Sequence, residues 1–137
     1  MQARLGDALK HGAGPGRPAV LGHGFLVDLI EFEPIHLLAG EARFRHLYTR
    51  AGAADEVAAR WAEALGERAI VRTQAGIEDW FGPIAAGVRP RIGDVVVAAL
   101  GDFAVFSSKE FGIELKMTGF HGSITEAELR IPVLIAR

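Results

Sequence analysis

Cysteine is absent from the chain of 137 residues. That excludes a disulfide scaffold, a thiolate nucleophile and any zinc or iron–sulfur site built on sulfur. A metal, if one is held, falls to His, Asp or Glu. Proline is scarce at 6 residues, and half of the side chains are hydrophobic, so neither a collagen-like nor an intrinsically disordered chain is expected. Charge of one sign is also lacking. The formal net charge is −2, and the arginines, twelve against three lysines, lie scattered among acids. No basic field is present to recruit nucleic acid. Long hydrophobic runs are missing as well: no stretch approaches the roughly 18 apolar residues of a membrane span. The N-terminal segment carries Arg4 and Asp7 inside its first apolar stretch. It has no h-region of a signal peptide, and a cytoplasmic location is expected.

What is present suits one domain over residues 1–137, since domains run to roughly 100–200 residues. Leu5 and Leu9 mark a short helix over Gln2 to His11, which Gly12, Gly14, Pro15, Gly16 and Pro18 end in a loop. Ala19-Val20-Leu21 reads as a buried strand that stops at Gly22-His23-Gly24. Phe25 to Ala39 mixes apolar and acidic residues, and Pro34 argues against one continuous element there. Arg43 to Thr49 has the residue types and partial alternation of a strand. Gly52 to Leu65 is the clearest helix, with Val57, Trp61 and Leu65 every four residues, Asp55 and Glu56 in its first turn, and Gly66 after it.

The second half continues in mixed order. Ala69 to Arg72 predicts a short strand, and Thr73 a cap for a helical turn that ends before Trp80-Phe81-Gly82-Pro83. Asp94 to Leu100 predicts a strong strand, with Gly101-Asp102 as a two-residue hairpin turn returning through Phe103 to Ser107. Thr125 and Glu128 have capping-box spacing, and Ile131-Pro132-Val133-Leu134-Ile135-Ala136 reads as a closing strand. The fold class expected is therefore α/β.

Histidine is the best metal-ligand candidate in a chain without cysteine. His11 at a helix end suits a dipole role, His46 lies mid-strand, and His36 falls in an untyped segment. His23 and His121 differ, because each is followed at once by glycine. A His at the carboxyl end of a strand points towards the crevice where α/β folds bind ligands, and glycine lets the backbone turn sharply beneath it. Each pair is weak alone, since the dipeptide is common in turns.

The tail Gly119-Phe120-His121-Gly122-Ser123-Ile124-Thr125-Glu126-Ala127-Glu128-Leu129-Arg130-Ile131-Pro132-Val133-Leu134 resembles the closing motif of the alkaline phosphatase superfamily, nucleotide pyrophosphatase/phosphodiesterase type. Gly40 to Tyr48, Trp80-Phe81-Gly82-Pro83 and Arg89 to Ala98 are similar to that family too. So is Gly22-His23-Gly24-Phe25, which falls where the family has Asp-His-Gly-Met. The resemblance implies that His23 and His121 are zinc ligands, whereas glycine at position 22 replaces an expected aspartate ligand. It implies a partial alkaline-phosphatase-like mixed sheet with helices, carrying a small α+β insertion over about residues 40–100. It also implies a phosphate ester or nucleotide as the parent family's substrate.

The family's Thr or Ser nucleophile and its remaining metal ligands lie upstream of the Asp-His-Gly position. The resemblance therefore implies the C-terminal lobe of a zinc-dependent phosphoric ester hydrolase, inactive in isolation. Two neutral imidazoles cannot hold two zincs close together against their repulsion, so at best His23, His121 and a carboxylate or water hold one. Asp28, Glu31 and Glu33 are the carboxylates nearest in sequence to His23. The alternative is a non-catalytic α/β module that folds alone and binds a partner or a nucleotide. A lobe cut from a larger sheet exposes strand edges and apolar surface, which predicts self-association.

Overall fold

The computed structural model describes residues 19–21, 24–26, 35–107 and 110–136. Strands β3 (Ile35–Glu41) and β4 (Phe44–Thr49) form a hairpin, joined through Ala42 and Arg43 with Glu41 opposite Phe44. Strand β6 (Val95–Ala99) pairs antiparallel with β4 on one side and with β5 (Ala69–Thr73) on the other. The order β3-β4-β6-β5 thus makes a four-stranded antiparallel sheet. A smaller sheet of three strands joins β1 (Ala19–Leu21), β2 (Gly24–Leu26) and β7 (Ala104–Phe106) in that order, with β2 and β7 parallel. Helix and sheet are mixed along the chain, in keeping with the expected general α/β class. The sequence helix from residue 2 to 11, with His11, lies outside the described residues.

Helix α1 (Ala54–Leu65) forms because its apolar positions fall four apart on one side. Val57, Trp61 and Leu65 are buried, and they meet Leu38, Leu47, Val95, Val97 and Ala99 in one core cluster. Gly66 ends the helix with φ 55°, and its amide donates to the Ala62 carbonyl.

Every residue of β6 is buried, although antiparallel strands commonly leave one face wet. Alternate side chains explain it. Val95, Val97 and Ala99 face α1, while Val96 and Ala98 face the opposite side with Phe44 and His46 of β4 as cross-strand neighbours. Phe44 on that second side makes edge contacts with Trp80 and Phe81 of the short helix α2 (Glu78–Phe81). The helical turn is therefore continued through Trp80 and Phe81, rather than ending before them. The aromatic pair gains contact with the sheet only from a helical position.

Gly101 and Asp102 do make a turn, with the Phe103 amide donating to the Leu100 carbonyl. The chain does not return along β6, however. Both edges of β6 are already taken by β4 and β5, so β7 leaves to pair with β2. Thr125 stands at the start of α3 (Glu126–Leu129) without a side-chain bond to a helix amide. Its hydroxyl donates instead to the Glu128 carboxylate. Residues 130–136 form no strand, and Ile131, Val133, Leu134 and Ile135 are 76–95% exposed.

Candidate functional site

The two glycine-flanked histidines fare differently. His23 lies between β1 and β2 in sequence and outside the described residues, as do Gly22, Asp28, Glu31 and Glu33. His121 is described and exposed. Among the described residues, no hydrogen bond joins its imidazole to another side chain or backbone group.

The loop that carries it is fixed on both sides. Before it, Phe120 packs edge-on against Phe106 at the end of β7, ring centroids 5.1 Å apart. After it, Gly122 adopts φ 102°, a backbone conformation that glycine alone takes without strain. Ser123 is buried, and its hydroxyl donates 2.5 Å to the Ala99 carbonyl at the end of β6. The Ser123 amide donates 3.2 Å to Glu128 Oε1. His121 is thereby presented beside the carboxyl-terminal ends of β6 and β7.

Glu128 collects four donors. Arg43 approaches it in a fork, Nε to Oε1 at 2.6 Å and Nη2 to Oε2 at 2.8 Å, and Thr125 and the Ser123 amide supply the others. Planar two-point pairing of this kind is the strong form of a charged hydrogen bond. The Arg43 bonds are the main cause that holds the Glu128 carboxyl down at about 2, outweighing burial, which works the other way. The guanidinium of Arg43 is raised for the same reason, its bond to Glu128 outweighing the cost of burial.

A second arginine lies deeper. Arg45 is fully buried, donating 3.0 Å to the Val105 carbonyl, to the Gly40 carbonyl at 2.5 Å, and to Glu114. The Phe111 ring sits 4.5 Å from its guanidinium carbon. Burial lowers its pKa, and the Glu114 carboxylate opposes that shift. Both arginines escaped the sequence reading. The signal for Arg45 was nevertheless available: in a strand, residue 45 shares a face with Leu47, so an arginine there points inwards and needs partners.

His46 and His36 belong to the sheet. His46 Nδ1 accepts the Gly93 amide at 3.1 Å, and burial lowers its pKa. A Cβ at Gly93 would stand 2.6 Å from the Leu47 nitrogen, which is why glycine alone lets the chain before β6 approach β4 so closely. His36 is exposed on β3.

The described residues do not by themselves make up a metal centre. Among the described residues no group of three His, Asp or Glu comes together, and His121 offers one imidazole. Carboxylates that would offset the charge of two zincs are not gathered around it. What the described residues offer is a single exposed imidazole on a fixed loop, available as one ligand.

Comparison with known proteins gives no family: no family model matches the chain, and no curated protein matches it.

Proposed function

We propose that the chain is the C-terminal lobe of a zinc-dependent phosphoric ester hydrolase of the alkaline phosphatase superfamily, nucleotide pyrophosphatase/phosphodiesterase type. His121 is its contribution to the metal site, and His23 the second ligand. The observation that carries this reading is the His121 loop. Gly122, Ser123, Thr125 and Glu128 are used to hold the backbone, whereas the histidine among them is left facing solvent. A loop built this firmly around an idle imidazole suits a ligand awaiting its partners. The nucleophile and the acidic ligands then come from outside these 137 residues, and the substrate is a phosphate ester or nucleotide.

Without those groups the chain has no means of clamping attacking and leaving oxygens, so no turnover is expected from it alone. The purified chain, supplied with zinc and bis(p-nitrophenyl) phosphate, should release no nitrophenol above the buffer rate. Clear release that His121→Ala abolishes would overturn the claim of inactivity. The family claim has its own test in the DNA upstream of the Met1 codon. An in-frame or frame-shifted segment encoding a Thr or Ser nucleophile and the missing acidic ligands is expected there, and a promoter and ribosome site with no such segment would sink it.

A second reading, a non-catalytic module that binds a partner or a nucleotide, draws on the closed core between α1 and the four-stranded sheet. It gains ground if the upstream segment is missing.

A further inference from the structure

We propose that the run Ile131 to Ile135 of one copy adds as an antiparallel strand to the open edge of β5 in a second copy of this chain. Each chain carries both halves of that contact and, among the described residues, joins neither to itself. The run forms no strand and no backbone hydrogen bond, and its aliphatic side chains stand in solvent. On the other side, β5 is paired with β6 alone. Of the two edges of the larger sheet, β5 is the regular one, its register with β6 unbroken from Ala69 to Thr73. The register of β3 shifts between Ile35 and Leu37, and Gly40 stands at φ 84°. Irregularities of that kind blunt an edge.

The backbone of β5 sets the register. The Gln74 amide donates to the Asp94 carbonyl and the Leu100 amide to the Arg68 carbonyl, both at 2.8 Å. Backbone groups alternate from side to side along a strand, so Ile70 and Arg72 also bond towards β6, and Ala69, Val71 and Thr73 turn theirs outward. The incoming run carries a matching constraint. Pro132 has no amide to donate and must face away from the edge. Ile131, Val133 and Ile135 then face it, opposite Thr73, Val71 and Ala69 in turn. Paired residues share a face of the sheet, so these aliphatics fall beside Ala69 and Val71, on the side where both meet the α1 core. No charge guards the edge: Arg72, the one charged side chain of β5, is held by Asp79 and the Trp80 ring on the opposite face. Charge also favours the direction. Arg137 follows the run in sequence, and antiparallel pairing brings it to the end of β5 that the exposed Glu67 precedes. The contact needs no metal, so it stands apart from the reading of His121.

Two sets of variants of the whole chain test the pairing. Val133→Pro removes an amide that bonds to β5 in this register, and Leu134→Pro removes one that faces away. Each exchanges one exposed aliphatic residue for the same proline, outside the core. Sedimentation velocity should show association weakened at least about tenfold by Val133→Pro and no more than about threefold by Leu134→Pro. Equal weakening by both overturns strand pairing and leaves unspecific adhesion. The register is read by cross-linking, which the absence of cysteine makes clean. Thr73→Cys and Ile131→Cys chains, mixed and oxidised, should give a disulfide-linked heterodimer identified by mass, since directly opposite residues stand roughly 5.5 Å apart at Cα. Thr73→Cys mixed with Leu134→Cys, out of register and on the other face, should link at least several-fold more slowly. Equal rates in the two mixtures overturn the register. A chain carrying both Thr73→Cys and Ile131→Cys that closes on itself as a monomer gives the edge to its own tail and overturns the second copy as occupant. So does a wild-type chain that stays monomeric at every concentration.

Discussion

Two residues make the molecule sensitive to acid, and the sign is the same for both. His46 is held below its ordinary value of 6.5 because burial disfavours the imidazolium. Below that value the unfolded chain binds the proton more readily than the folded one, so His46 contributes stability present above pH 6.5 that is lost as pH falls further. Glu128, brought down from 4.5 to about 2 by Arg43, contributes stability present above pH 4.5 and lost as pH falls towards 2. Urea midpoints measured from pH 8 to pH 3 should therefore decline in two stages. His46→Gln should flatten the first stage and Glu128→Gln the second; a decline unchanged in both variants would contradict the assignments. Gly93 supplies a third residue-scale prediction. A methyl group there meets the Leu47 nitrogen at 2.6 Å and the His46 carbonyl carbon at 2.9 Å, both backbone atoms that cannot swing aside. Gly93→Ala should cost about 1–3 kcal/mol, read from the shift in urea midpoint.

Among elements, α1 and the closing segment are held by opposite means. Trp61 stands in the core with Val57 and Leu65, so Trp61→Ala should cost about 3–5 kcal/mol. Leu129 is 64% exposed on α3, and Leu129→Ala should change stability by no more than about 0.5 kcal/mol. Urea titrations of both variants check the contrast. The same contrast explains what was legible in the sequence. Val57, Trp61 and Leu65 advertised α1 because a helix that buries one face must repeat its apolar residues at that spacing. The valines of β6 advertised a strand, but nothing local said that both its edges would be occupied, so the return of β7 along it was expected and did not occur. The closing apolar run Ile131 to Ala136 has the composition of a strand, yet a strand needs a partner, and composition does not supply one. The histidine loop was legible as a Gly-flanked His. The arginine that fixes it lies 85 positions away from Glu128 in sequence, a pairing that only the folded chain brings about.

At the scale of the whole molecule, the described residues leave two kinds of open surface. Strands β3 and β5 form the edges of the larger sheet, each hydrogen-bonded on one side. The run from Ile131 to Ala136 stands out in solvent, with Leu134 at 95% and Ile135 at 84% exposure. Open edges pair with strands from other chains, and contiguous exposed aliphatics drive association as water is released. The two features together predict concentration-dependent self-association of the purified chain, seen as a rising sedimentation coefficient with loading. Because apolar contact drives it, added sodium chloride should not disperse the assemblies, as it would if surface ion pairs held them. The double variant Leu134→Lys, Ile135→Lys places two charges where apolar contact is needed, and it should sediment as a monomer with α1 and the core unchanged by circular dichroism. A wild-type chain that stays monomeric at all concentrations would show that these surfaces are less adhesive than their composition demands. A double variant that associates as before would move the cause from the tail to the sheet edges.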